Sequence, residues 1–248
     1  MAVFAVLLGL AIGSFLNVCI DRLPEGRSLI RPRSHCPACR TRLAEHDLVP
    51  VVSYLFLRGR CRYCSALIPL RVPLVEAGSG LLFLLLWARF GVSPHFVFVA
   101  AVACVFIVAL VIDLERRLIP NRLVYPAIAA ALLAIPFAAG PGPPQALWGG
   151  AVGLALLLLI VLVYPGGMGL GDVKLAALIG LVVGFPLVLL ALFLSFVLGG
   201  AVGAAALLAR RAGMKDALPF APFLAAGAMV ALLYGEEILR WYPGIAVH

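Results

Sequence analysis

The chain has 248 residues, of which 64% are apolar and only 12% charged, with a net charge of +8. A soluble domain carries about 25% charged residues, so this composition excludes an ordinary water-soluble globule and points to lipid as solvent. Nor does the positive balance indicate nucleic acid: ten of the nineteen basic residues fall between Arg22 and Arg71, most others flank apolar runs, and the basic stretch has no groove-reading or base-stacking pattern.

Residues 2–20 form the first apolar run. No Lys or Arg precedes it and the basic residues follow it, the reverse of a secretory signal, which predicts a retained transmembrane helix. Residues 21–72 form a polar, basic insert. A membrane-crossing helix needs about 20 apolar residues. Runs at 73–90, 94–112, 123–139, 145–164, 173–184, 185–209 and 218–239 then bring the predicted spans to about eight. The sixth is short, with Pro186 beside Gly184 as the turn into the seventh. Unbroken apolar runs favour helices over the alternating strands of a barrel. The reading is an all-α polytopic membrane protein with a small cytoplasmic zinc-binding insert. It divides into a first helix (1–20), the insert (21–72) and a transmembrane domain (73–248).

Eight spans place the loops 21–72, 113–122, 165–172 and 210–217 on one side. That side collects nearly every basic residue, including Arg116, Arg117, Arg122, Lys174, Arg210, Arg211 and Lys215, and leaves Arg89 and Arg240 opposite. The positive-inside rule makes the basic side cytoplasmic and puts both chain ends outside. The insert's charges are expected to meet anionic headgroups, at about 1 kcal/mol each near the surface.

Within the insert lie Cys36-Pro-Ala-Cys39 and Cys61-Arg-Tyr-Cys64. Two CxxC pairs about twenty residues apart match structural zinc spacing: each pair forms a knuckle, and four thiolates complete a tetrahedron. Two disulfides are the alternative, disfavoured in a reducing cytoplasm. A site filled by four thiolates leaves no open position for chemistry, so the ion is read as structural. His35 and His46 are read as solvated loop residues, and Cys19 and Cys104 as small apolar side chains in their helices.

Acidic residues are scarce. Asp113 ends the third predicted span, and Asp172 opens the sixth behind Gly166-Gly167-Met168-Gly169-Leu170-Gly171. Each alone has a bland reading: Asp113 as an interfacial charge beside Arg116 or Arg117, Asp172 as a helix N-terminal acid favoured by the dipole. Together they fall at one membrane edge, where ionisable groups are costly and mark function. A glycine-rich approach lets backbone come close to a substrate or a second helix. Two neighbouring aspartates can share one proton, one acting as base on water while the other donates to a carbonyl oxygen. Glu76 lies near the start of the second helix, where a carboxylate suits the dipole or Arg71. Glu236 and Glu237 read as interfacial charges. Asn17 and Lys174 read as polar contacts in the bundle, and Lys174 is also placed to tune the aspartates.

The ordered set of motifs resembles the type IV prepilin peptidases, within the GxGD aspartyl protease group. It comprises Gly13-Ser14-Phe15-Leu16-Asn17-Val18 with Arg22-Leu23-Pro24, the twin CxxC insert, and Pro73-Leu74-Val75-Glu76. Asp113 with Ile119-Pro120, Gly169-Leu170-Gly171-Asp172-Val173-Lys174, and Pro219-Phe220-Ala221-Pro222-Phe223-Leu224 complete it. The match covers nearly the whole chain. The resemblance implies cleavage of a basic leader from prepilins or pseudopilins on the cytoplasmic side of the bacterial inner membrane. It also implies N-methylation of the new N-terminus with S-adenosylmethionine, since relatives that keep the zinc insert are typically bifunctional. It makes Asp113 and Asp172 catalytic, with Gly169, Gly171 and Lys174 in support, Cys36, Cys39, Cys61 and Cys64 the metal ligands, and Glu76 and Gly59 associated with the methyl donor. Asn121 stands where the family often has Asp, Ala221 where Gly is usual, and Arg60 where Lys is common; none touches the aspartates. Three rivals stand beside this reading. One is a peptidase without methylation, another an ion-coupled transporter with two intramembrane acids, and the third a non-catalytic scaffold around the metal.

Overall fold

The computed structural model describes residues 1–137, 141–209 and 218–241. Among them there are helices, turns and two isolated bridges, and no strand. The helices are α1 (Ala2–Arg22), α2 (Val52–Phe56), α3 (Arg71–Phe90), α4 (Pro94–Arg116) and α5 (Asn121–Ala134). They continue as α6 (Pro143–Val163), α7 (Leu170–Val183), α8 (Leu187–Leu208) and α9 (Ala221–Arg240). Each predicted span falls on one of these helices. Six of them, α1, α3, α4, α6, α8 and α9, are long and apolar enough to cross a membrane. The remaining two, α5 and α7, have 14 residues each. The protein is therefore a multi-pass membrane protein. The tail of the fourth predicted span at 138–139, the basic loop with Arg210, Arg211 and Lys215, and the C-terminal residues 242–248 lie outside the described residues.

The helix ends differ from the apolar runs. α4 continues past Ile112 to Arg116, so Asp113 sits inside its last turns rather than beyond them. α7 begins at Leu170, which brings Asp172 into its first turn. Gly184, at φ +75°, caps α7 in a conformation open to glycine, and Pro186 precedes α8.

The chain forms two compact units, residues 1–100 and 101–248. In the first, α1 packs on α3 through a small-residue stripe. A Cβ added at Gly9 would lie 2.6 Å from the Ser79 carbonyl oxygen, and one at Gly13 would lie 2.8 Å from the Glu76 Cα. Without a hydrophobic drive in lipid, such close backbone approach is what holds helices together. Asn17 extends the same antiparallel register, donating from Nδ2 to the Val72 carbonyl at 3.1 Å and to the Gly13 carbonyl at 3.3 Å. In the second unit α7 is the central element, touching α5, α6, α8 and α9. Every residue from Asp172 to Val183 except Lys174 is buried. A helix apolar all round, as Val173–Val183 nearly is, belongs inside a bundle.

Candidate active site and metal centre

Asp113 and Asp172 meet within the second unit, and both are buried. They are close enough for the charge of Asp113 to act on Asp172. Asp113 Oδ2 accepts the Ala221 N–H at 2.9 Å. Ala221 is the first residue of α9, whose leading N–H groups have no partner within the helix. A carboxylate from α4 thus occupies the anion-favouring end of α9. Asp172 is held differently. Its Oδ2 accepts the Gly169 N–H at 3.2 Å, while its own N–H donates to the Gly169 carbonyl at 3.1 Å, a reciprocal cap of the α7 N-terminus. Its second oxygen, Oδ1, is buried and has no hydrogen-bond partner among the described residues. One carboxylate is pinned by a helix end and the other presents an uncommitted oxygen.

The glycines before Asp172 have a steric reason. A Cβ on Gly171 would lie 2.9 Å from the Ile119 Cβ, closer than real carbons approach. The Ile119-Pro120 segment therefore rests directly on the backbone that presents Asp172. We expect Gly171→Ala to cost about 1–3 kcal/mol through overpacking, read as a lower unfolding temperature and slower cleavage. Adding Ile119→Gly, which removes the opposing Cβ, should recover part of the lost cleavage; a silent single variant would mean the close approach does not require glycine. Lys174 Nζ donates to Asn121 Oδ1 at 2.8 Å and lies 5.1 Å from the Tyr125 ring centroid, so its contacts tie α7 to α5.

The first unit holds the other candidate residues. The Sγ atoms of Cys36, Cys39, Cys61 and Cys64 all lie within 4.8 Å of one another, and Cys36 and Cys64 are 3.8 Å apart. A tetrahedral ion bound to sulfur at about 2.3 Å has edges of about 3.8 Å, the spacing of Cys36 and Cys64, so the four thiols are grouped closely enough to hold one metal ion. All are free of disulfides. The two knuckles repeat one design. The Cys36 N–H donates to the Thr41 carbonyl and the Cys61 N–H to the Ala66 carbonyl. Arg40 and Ser65 follow in left-handed conformation, and bridges His35–Arg42 and Arg60–Leu67 close the loops. The thiols are electrostatically unequal. Bonds from Thr41 bring Cys39 down to about 6. At Cys64 the Ala66 N–H lowers the pKa, but burial and neighbouring sulfurs prevail and push it up to about 12. The histidines stand apart from the four sulfurs: the His35 Nδ1 contacts the Arg33 carbonyl and His46 lies 3.5 Å from Asp47.

Glu76 and Gly59 sit at the two ends of α2. Glu76 is buried on α3, and its Oε2 accepts the Val51 N–H at 2.7 Å. Val51 has φ +62° and ψ −47°, with the Val52 N–H reaching back to the Pro50 carbonyl, a strained tight turn for a β-branched residue. At the other end Gly59, at φ +70°, donates to the Tyr54 carbonyl and accepts from the Ile68 N–H, and a Cβ there would meet the Tyr54 hydroxyl.

The sequence reading did not single out the Ala221 amide, because every non-proline residue has one; the signal available was Pro222 just inside a helix start. Asp47 was also missed. Its carboxylate accepts Arg62 Nε at 2.7 Å, the Tyr63 hydroxyl at 3.3 Å and the Ala44 N–H at 3.3 Å, tying the turn at Glu45–Leu48 to the second knuckle.

Comparison with known proteins agrees with these two units. Residues 7–90 match the bacterial peptidase A24 N-terminal domain, and residues 100–204 match the type IV leader peptidase family. A Bacillus subtilis protein named prepilin leader peptidase/N-methyltransferase is 38% identical over 246 residues, 96% of each chain. The chain belongs to the type IV leader peptidase family. Leader peptidase relatives of the same name from Pseudomonas putida and Pseudomonas aeruginosa are 35% and 32% identical, over 94% and 96% of this chain and 91% of each relative. No solved structure matches. In this leader peptidase the N-terminal match spans the metal knuckles, and the second match carries both aspartates.

Proposed function

We propose that this leader peptidase is an aspartyl endopeptidase that removes the leader of type IV prepilins or pseudopilins at the cytoplasmic membrane face. We further propose that it methylates the new N-terminal amine. The observation that carries the first part is the unlike anchoring of the two buried aspartates. Asp113, fixed through Oδ2 by the Ala221 N–H, takes the proton of the attacking water as base. Asp172, with Oδ1 uncommitted, holds the shared proton and gives it to the scissile carbonyl oxygen. The water oxygen bonds to the carbonyl carbon. The tetrahedral intermediate then collapses as the proton on Asp113 passes to the leaving amine, and the carbonyl oxygen returns its proton to Asp172.

A prepilin has a basic leader in water and an apolar helix in lipid, so its scissile bond lies at the membrane edge. The excess of Arg and Lys in the loop 21–72 supports the cytoplasmic side. The four-thiolate set fits zinc by ligand type and sulfur spacing. Its charge would be met by Cys36, Cys39, Cys61 and Cys64, and its role is to hold the insert together.

S-adenosylmethionine supplies an electrophilic methyl group when bound. Glu76 and Gly59 do not form an open cradle for it, since Val51 occupies one and the Tyr54–Ile68 turn the other. Their proposed part in methylation is to fix α2, and no step is routed through the donor. The test is a model prepilin incubated with enzyme and S-adenosylmethionine, read by intact mass. Loss of the leader plus one methyl is expected. Loss of the leader alone would leave a peptidase without methylation, and an untouched substrate with folded enzyme would overturn the reading.

A further inference from the structure

α2 carries an apolar face that none of the described residues covers. Val52, Leu55 and Phe56 share one side of its single turn and a half, and Leu55 and Phe56 are 68% and 83% exposed. Leu67 and Leu70, at 75% and 67%, follow in the returning segment and at the α3 N-cap. Leu70 opens a stripe with Leu74, Leu81 and Leu85 along α3, all exposed, which is the lipid-facing side of a membrane-crossing helix. The apolar surface of the insert is thus continuous with a surface that lipid already covers.

Depth agrees. The ion pair of Arg71 Nη2 with Asp21 Oδ1, at 2.8 Å, marks the polar edge of the α1–α3 pair. Glu76 lies five residues further along α3, about 7.5 Å deeper, and there it holds the Val51 N–H that starts α2. Amphipathic segments that lie in a bilayer interface sink about 5–10 Å below the headgroups. The basic residues Arg58 and Arg60 follow α2 directly and are exposed, as anionic headgroups require.

We propose that α2 is an interfacial anchor, with Val52, Leu55 and Phe56 embedded in the leaflet on the insert's side. The metal knuckles then rest on the bilayer. Glu76 sets how deep α2 sits, and Gly59 turns the chain back toward water.

Full-length enzyme carrying Phe56→Trp, reconstituted in phosphatidylcholine–phosphatidylglycerol nanodiscs, tests this by fluorescence against wild type. Acyl chains brominated near the glycerol end should roughly halve the emission that the new side chain adds, and aqueous iodide should leave it unchanged. His46→Trp, on the exposed turn, should show the opposite pattern. Leu55→Trp serves as a second probe should Phe56→Trp fail to process prepilin. Trp148, exposed on the membrane-crossing α6, reports wild-type insertion independently. Quenching by iodide but not by brominated lipid would place the face in water and overturn the proposal. Protection from both would overturn it in favour of a protein partner, such as a second copy or the substrate helix.

Discussion

Asp172→Asn and Asp113→Asn are each expected to fold as wild type and to remove no measurable leader, with cleavage falling at least about 10²–10⁴-fold. The substitution keeps an oxygen at each site. An asparagine at 172 can still accept the Gly169 N–H, and one at 113 can still accept the Ala221 N–H. Neither can exchange a proton with water or a carbonyl. Unfolding temperature should therefore hold while intact-mass analysis shows uncut prepilin. A precleaved substrate should still gain a methyl group, because Glu76 and Gly59, the residues associated with methylation, belong to residues 1–100. Either variant retaining more than about a tenth of wild-type cleavage would remove that aspartate from the proton transfers.

Stripping the metal is expected to unfold the insert while leaving the helices intact. Across residues 23–70 only Cys36, Gly59 and Cys61 are buried, so the segment has no apolar core of its own. Structural zinc in small domains is worth about 10–16 kcal/mol of folding free energy, and nothing else in the insert approaches that. A chelator, or Cys36→Ser combined with Cys64→Ser, should open the arginines between Arg27 and Arg62 to trypsin. Methyl addition should fail at lower chelator concentrations than cleavage, since both aspartates lie in the other unit. An insert that stays resistant to trypsin after metal analysis shows it empty would overturn the structural role.

Identity and spacing made the four cysteines legible in sequence, because a tetrahedron of thiolates needs only those. Scarcity made the aspartates legible: in a chain so poor in acids, two at a predicted membrane edge stand out. Helix ends were less visible. Hydropathy reports where lipid or protein surrounds the chain, not where hydrogen bonding stops, so α4 runs past Ile112 through charged residues to Arg116. The short sixth run could not reveal that its helix is wrapped by protein, since Val and Leu suit either neighbour. Three contacts had no sequence signature strong enough to find them: Ala221 with Asp113, Glu76 with Val51, and Asp47 with the second knuckle. Two of these are backbone amides, and the third joins residues whose types are common in any polar loop.

The burial of α7 on every side also bears on how a substrate is selected. An element enclosed by four helices exchanges its amide hydrogens only when much of the bundle opens. The carboxylate mounted on its first turn is consequently fixed in place, with little room to adjust to a peptide of different shape. Tolerance for varied leaders would have to reside in more loosely held parts of the chain, and sequence drift there would change substrate range without disturbing the chemistry.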